Sequence, residues 1–437
     1  MINSREIALG VLYETEYNGA YVNLALKEAL AKNKELSAKD KGLVTRLVYG
    51  CVSRRNTLEY IIEQYSKIKI KKISKYIMLI LKLGIYQLIY TDKIPQSAAV
   101  NESVKLARRY GHQSSAGFVN GLLHSVIRNG VKYPEEVISH AVYEYSYPEE
   151  LVKKWFDDFG DEFTYELMQS MNEDPKLTLR VNTLKTSRKE LTEKNPLLKP
   201  ALYYENAVTA SGLDVGSSNI YKSGLVTVQD ISAMLASAVL NPQPGESVID
   251  LCAAPGGKTT HLAELMQNKG SILACDCHEH KTELIAKNAE RLGIDIINTV
   301  CMDSSVYKPS LDSRFDKVLA DVPCSGWGII RRKPDIKWKN VNTDELIGLS
   351  EKILTNALKY VKIGGEVVFS TCTINPEENE IRFRKLLCGN NNFMPVNISE
   401  YLPEDLRKST THDGYLTLYP NIDGTDGFFI AKIKRCK

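Results

Sequence analysis

No proline occurs before Pro95, so no proline interrupts a helix in the first fifth of this 437-residue chain. No apolar run is long enough to span a membrane. The greasiest window, Tyr76 to Tyr90, is broken by Lys82 and Gln87. The opening Met1-Ile2-Asn3-Ser4-Arg5-Glu6 meets charge without the apolar stretch of a secretory leader, and a soluble, cytoplasmic protein with no membrane partner is expected. The nine cysteines are odd in number and unevenly spaced, which excludes a disulfide framework and fits a reducing compartment. Cys275, Cys277, His278 and His280 cluster, but their spacing matches no usual zinc finger and no second cluster completes four ligands, so no metal is expected. Internal repeats and low-complexity tracts are missing as well. What remains is a chain long enough for two or three domains, each with its own core.

Net charge is only +3, yet residues 1–133 carry 21 Lys/Arg against 10 Asp/Glu, a balance of +11 that leaves −8 for the rest. A basic region on an acidic body suits attraction to phosphates. Apolar residues within 1–138 recur at helical spacing, as in Leu9, Val11 and Leu12, or Leu58, Ile61, Ile62 and Tyr65, predicting an all-α domain. Residues 139–222 mix a helix near Glu149 to Phe159 with the alternating Leu177 to Asn182, predicting a small α/β connector. Residues 223–437 alternate β-rich runs (Ser247 to Leu251, Ser271 to Ala274, Ile296 to Met302, Lys317 to Ala320, Glu366 to Phe369) with helical stretches, one of them Pro376 to Leu387. The fold class is therefore α/β, with a parallel sheet covered on both faces and a closing antiparallel hairpin, Tyr415 to Tyr419 with Phe428 to Ile433.

The segment Asp250-Leu251-Cys252-Ala253-Ala254-Pro255-Gly256-Gly257-Lys258-Thr259 follows the first of these strands and opens a helix, where small residues let backbone N–H groups approach a ligand. It is one residue from a phosphate-binding loop, since Cys252 stands where the leading Gly is required. A P-loop NTPase is thus the main rival reading. Asp276, Asp303 and Asp321 end the next three strands. Three carboxylates around a nucleoside suit a positively charged cofactor such as S-adenosylmethionine and would repel a triphosphate without its metal. Each Asp taken singly also fits a helix cap.

Two cysteines occupy parallel settings, Cys324 in Asp321-Val322-Pro323-Cys324-Ser325-Gly326 and Cys372 in Ser370-Thr371-Cys372-Thr373, each just past a β-branched run. Two thiols arriving at strand ends from different strands point to covalent chemistry on one substrate. Together with Arg331 to Trp338, Thr371 to Asn379 and the closing Asp426 to Ala431, these segments resemble the RNA cytosine-5 methyltransferases of the Nol1/Nop2/Sun family. The N-terminal region, with Phe118-Val119-Asn120-Gly121-Leu122-Leu123, is similar to the NusB-type RNA-binding domain found in one bacterial branch. The resemblance implies a Rossmann-like class I methyltransferase sheet behind a NusB-like domain. It implies S-adenosylmethionine held by Cys252, Ala253, Ala254, Pro255, Gly256, Gly257, Lys258, Asp276, Asp303 and Asp321, with Cys372 as nucleophile and Cys324 assisting product release. The implied substrate is a cytosine of 16S ribosomal RNA, at the position conventionally numbered 967, methylated by a chain acting as a monomer. A non-catalytic RNA-binding assembly factor is the second rival; it leaves both cysteines without a purpose.

Overall fold

The computed structural model describes residues 4–437 and divides into two compact units. One runs to Glu173 and takes in Ile330–Lys339; the other joins Asp174–Ile329 to Asn340–Lys437. The connector expected at 139–222 is shared between them, its helices Glu149–Phe159 and Asp161–Met171 lying in the first unit and its strands in the second.

The first unit is helical, as the proline-free periodicity predicts. Helices Ser4–Tyr17, Val22–Lys32, Ala38–Ser53, Arg55–Tyr65, Lys75–Tyr90, Gln96–Tyr110 and Ser115–Asn129 share one apolar core. Ser37 caps the third by accepting from the Asp40 N–H at 3.1 Å, and Pro95 stands just before the sixth. The greasy window is the central helix, buried continuously from Ile77 to Gln87. Its one buried charge, Lys82, is held 2.7 Å from both Glu16 and Glu59. Among the described residues no helix is long and apolar enough to cross a membrane. Ile330–Lys339 packs within this unit: the Trp338 Nε1–H donates to the Val52 carbonyl at 2.7 Å, and the Lys337 Nζ sits 4.0 Å above the Tyr147 ring.

The second unit holds two sheets. β1 (Leu177–Val181), β2 (Leu198–Pro200), β3 (Ala207–Ala210) and β4 (Val226–Val228) form a small antiparallel sheet in the order 2-3-1-4 around its own core. The larger sheet contains β5 (Ser247–Asp250), β6 (Ser271–Asp276), β7 (Ile297–Cys301), β8 (Phe315–Asp321), β9 (Val361–Thr371), β10 (Phe393–Pro395), β11 (Tyr415–Leu418) and β12 (Phe428–Arg435). Its order is 10-12-9-8-5-6-7, parallel from β9 through β7, with β11 and β12 paired antiparallel as the expected hairpin. Apolar runs such as Val318-Leu319-Ala320 and Val367-Val368-Phe369 are buried, as strands covered on both faces require. Strand order reverses between β5 and β8, so a crevice opens there at the strands' carboxyl ends.

Candidate active site at the ends of the parallel strands

Register brings the two thiols together. β8 and β9 pair in parallel with Asp321 opposite Ser370, so Cys324, three residues on, and Cys372, two residues on, leave adjacent strands side by side. Their sulfurs lie 3.5 Å apart, neither is in a disulfide, and both are partly accessible. The hydrogen bond to Cys372, then burial, hold the Cys324 thiol well above the usual range.

The residues that follow each cysteine staple the two loops. Ser325 Oγ and Thr373 Oγ1 are 2.7 Å apart, and the buried Glu378 carboxylate accepts from the Ser325 N–H at 2.8 Å, its hydroxyl at 2.6 Å and the Asn375 side-chain amide at 3.0 Å. Asn379 accepts from the Thr371 hydroxyl and donates to the Thr373 carbonyl. The helix expected from Pro376 starts at Glu380. Sequence reasoning passed over Ser325, Asn375, Glu378 and Asn379; the signal was a tight run of amides and acids directly after Cys372.

A half-buried ion pair stands beside the thiols. Lys258 Nζ lies 2.6 Å from Asp321 Oδ2, and the Ser370 hydroxyl donates to Oδ1 at 2.7 Å. Burial pulls the Lys258 ammonium down, but Asp321 more than offsets it and the group stays above its ordinary range. Thr259 donates to the buried Asp250 at 2.7 Å. These pairings bear on the P-loop reading: the lysine that would reach phosphates is committed to a carboxylate, and so is the hydroxyl that would hold magnesium.

The loop between β5 and the helix Gly257–Leu265 is shaped by its backbone bonds. Ala253 N–H donates to Cys275 O at 2.9 Å, and Asn288 Nδ2 donates to Pro255 O at 2.8 Å. Gly256 takes φ +99, and a Cβ there would come within 3.2 Å of Ile285 Cα, so glycine is required on both counts. Asp276 ends β6 and accepts the His278 N–H at 3.1 Å; Asp303 lies two residues beyond β7 and accepts from the Ser305 N–H and hydroxyl. Those Ser305 bonds hold Asp303 below the usual carboxylate range, charged at neutral pH. The Asp276 and Asp303 carboxylates at successive strand ends would repel a nucleotide's phosphates lacking a metal. Asp276, Cys277 and His278, at and just past the end of β6, also present three ligand atoms within 4.8 Å of one another.

Three family models match along the chain: "NusB family" over residues 2–128, an RsmF/B-like ferredoxin-like domain over 147–194, and "16S rRNA methyltransferase RsmB/F" over 237–434. "Probable ribosomal RNA small subunit methyltransferase B" of Bacillus subtilis is 38% identical, covering 99% of this chain and 98% of the relative. The chain belongs to the RsmB/F family of methyltransferases. A relative of the same name from Synechocystis is 36% identical over the full length of both chains. Among solved structures, PH0851 superposes with a TM-score of 0.82 at 25% identity, covering 100% of this chain and 99% of that one. A methyltransferase homologue from Pyrococcus horikoshii gives 0.59 at 28% identity, over 69% of this chain and 99% of its own.

Proposed function

We propose that this chain methylates carbon 5 of a cytosine in 16S ribosomal RNA, at the position conventionally numbered 967, using S-adenosylmethionine and a covalent adduct through Cys372. The observation that carries the reading is the pair of thiols 3.5 Å apart at the ends of β8 and β9. Relatives named for 16S or small-subunit ribosomal RNA over nearly the whole chain support the substrate.

Carbon 5 of cytosine is a weak nucleophile because ring conjugation holds its electrons. Addition of the Cys372 thiolate to carbon 6 breaks that conjugation, and carbon 5 becomes enamine-like. Bound S-adenosylmethionine supplies an electrophilic methyl group. Gly256, Gly257, Asp276 and Asp303 would hold it, with Cys252 to Pro255 forming the rest of the cradle. The Lys258–Asp321 pair keeps a proton donor and an acceptor beside the thiols, where charge develops on the ring. Hydrogen bonding to Cys372 keeps the proton on Cys324 in the resting site. Once Cys372 is bonded to carbon 6, the partly accessible Cys324 gives up its own proton to solvent and, as the thiolate, takes the carbon-5 proton. Departure of Cys372 Sγ then restores the ring. A base must leave its stack to reach this site, at about a few kcal/mol, so an unpaired nucleotide is favoured.

The two cysteines are assigned opposite ends of one cycle, which a denaturing gel with labelled RNA resolves. Cys372→Ala forms no adduct and no product. Cys324→Ala attacks, accepts the methyl and stalls, leaving a slow-migrating band. The reverse pattern would exchange the roles, and adducts from neither variant would overturn the covalent mechanism.

A further inference from the structure

Arg180 leaves β1 of the small antiparallel sheet and is buried against the first turn of the helix Gly257–Leu265. All five of its N–H groups find acceptors. Nε and Nη2 grip the two Glu264 oxygens at 2.9 and 3.0 Å, Nη2 also reaches Thr260 Oγ1 at 2.9 Å, and Nη1 donates to the Gly257 carbonyl at 2.7 Å and to Gln229 Oε1. The Thr260 hydroxyl in turn donates to the Gly256 carbonyl at 2.7 Å. One guanidinium therefore fixes two consecutive peptides of the loop, directly at Gly257 and through Thr260 at Gly256. Lys258, the next residue, carries the ammonium paired with Asp321.

We propose that Arg180 is a positioning residue for the cofactor, and that the small sheet β1–β4 is thereby a working part of the methyl-donor site. The inference rests on the cofactor assignment made above. A fixed loop aims its N–H groups before the ligand arrives, so no binding energy is spent on ordering it. Five donors in a planar fork cannot be copied by an ammonium with three, so Arg180→Lys keeps the charge facing Glu264 and loses the peptide carbonyls. Asn182, two residues along the same chain, provides the contrast. It is equally buried and donates to the Gly224 and Leu292 carbonyls, away from the loop.

The test uses the full chain. S-adenosylmethionine binding is measured by calorimetry, RNA binding by filter retention and unfolding by thermal melt, for the wild type, Arg180→Lys and Asn182→Ala. Arg180→Lys should weaken the cofactor by about tenfold or more, equivalent to about 1.4 kcal/mol, with RNA affinity within about twofold. Its turnover should be largely recovered at saturating cofactor, since the loss falls on KM rather than kcat. Asn182→Ala should melt earlier yet bind the cofactor within about twofold of wild type. Unchanged cofactor affinity in Arg180→Lys would overturn the proposal, as would an equal loss in Asn182→Ala, which would reduce Arg180 to general scaffolding. If Arg180→Lys does not fold, Thr260→Val removes the hydroxyl that accepts from Arg180 and bonds the Gly256 and Gly257 carbonyls, and unaltered cofactor affinity there overturns the proposal too. Failure of the wild-type chain to bind S-adenosylmethionine is a separate result and sinks the cofactor assignment itself.

Discussion

Asp250 closes β5 with its carboxyl buried, and burial pushes its pKa up to about 7 against the opposing Thr259 hydrogen bond. In the unfolded chain the same group ionises near 4. Between about pH 4 and pH 7 the native state thus keeps a proton that the unfolded state has released. The contribution is fully present below about pH 4 and is lost as pH rises through 7, by on the order of 4 kcal/mol. Asp250→Asn cannot titrate, so the difference in urea midpoint between it and wild type should shift in the variant's favour from pH 4 to pH 8. A difference flat with pH would mean that Asp250 is charged in the fold. Asp321 is engaged at both oxygens, by Lys258 and by Ser370, and each oxygen keeps a lone pair with which to accept from a ligand.

Loop contacts add to strand register in holding the site to its dimensions. Gly328 N–H donates to the Cys372 carbonyl at 3.0 Å and Gly427 N–H donates to the Gly328 carbonyl at 2.9 Å, so the Cys324 loop, the Cys372 loop and the turn before β12 are laced together. A Cβ on Gly328 would fall 2.0 Å from Gly427 O and 2.9 Å from Cys372 O, backbone atoms that cannot swing aside. Gly328→Ala should cost about 1–3 kcal/mol through overpacking, and should slow adduct formation by moving Cys372 away from Cys324. A melting curve and the rate of band formation on the gel check both; an unperturbed adduct rate would show that this lacing does not set the thiol geometry. The helix begins at Glu380 rather than Pro376, after turns in which the Glu378 and Asn379 N–H groups donate three residues back to the Asn375 and Pro376 carbonyls.

For the whole chain, charge is the quantity that matters. Lys67, Lys69, Lys71 and Lys72 are exposed around a short 3-10 turn of the helical unit, within the region that carries +11. Replacing all four by Gln should reduce the slope of log K against log salt for RNA binding by about 0.7–0.9 for each phosphate left unneutralised. Titrations at two salt concentrations measure it, and an unchanged slope would place the RNA-binding charges elsewhere. What the sequence determined by itself was everything written in local pattern. Helical spacing without proline, buried apolar strands ending in Asp or just before Cys, and a glycine-rich helix start are short-range constraints, visible wherever backbone preference and burial act on neighbouring residues. Only the tertiary structure decided which distant residues share a site. Arg180 meets Gly257, Lys258 meets Asp321, and Ser325 meets Glu378 because strand order and register bring them together, and no local preference encodes a partner far along the chain.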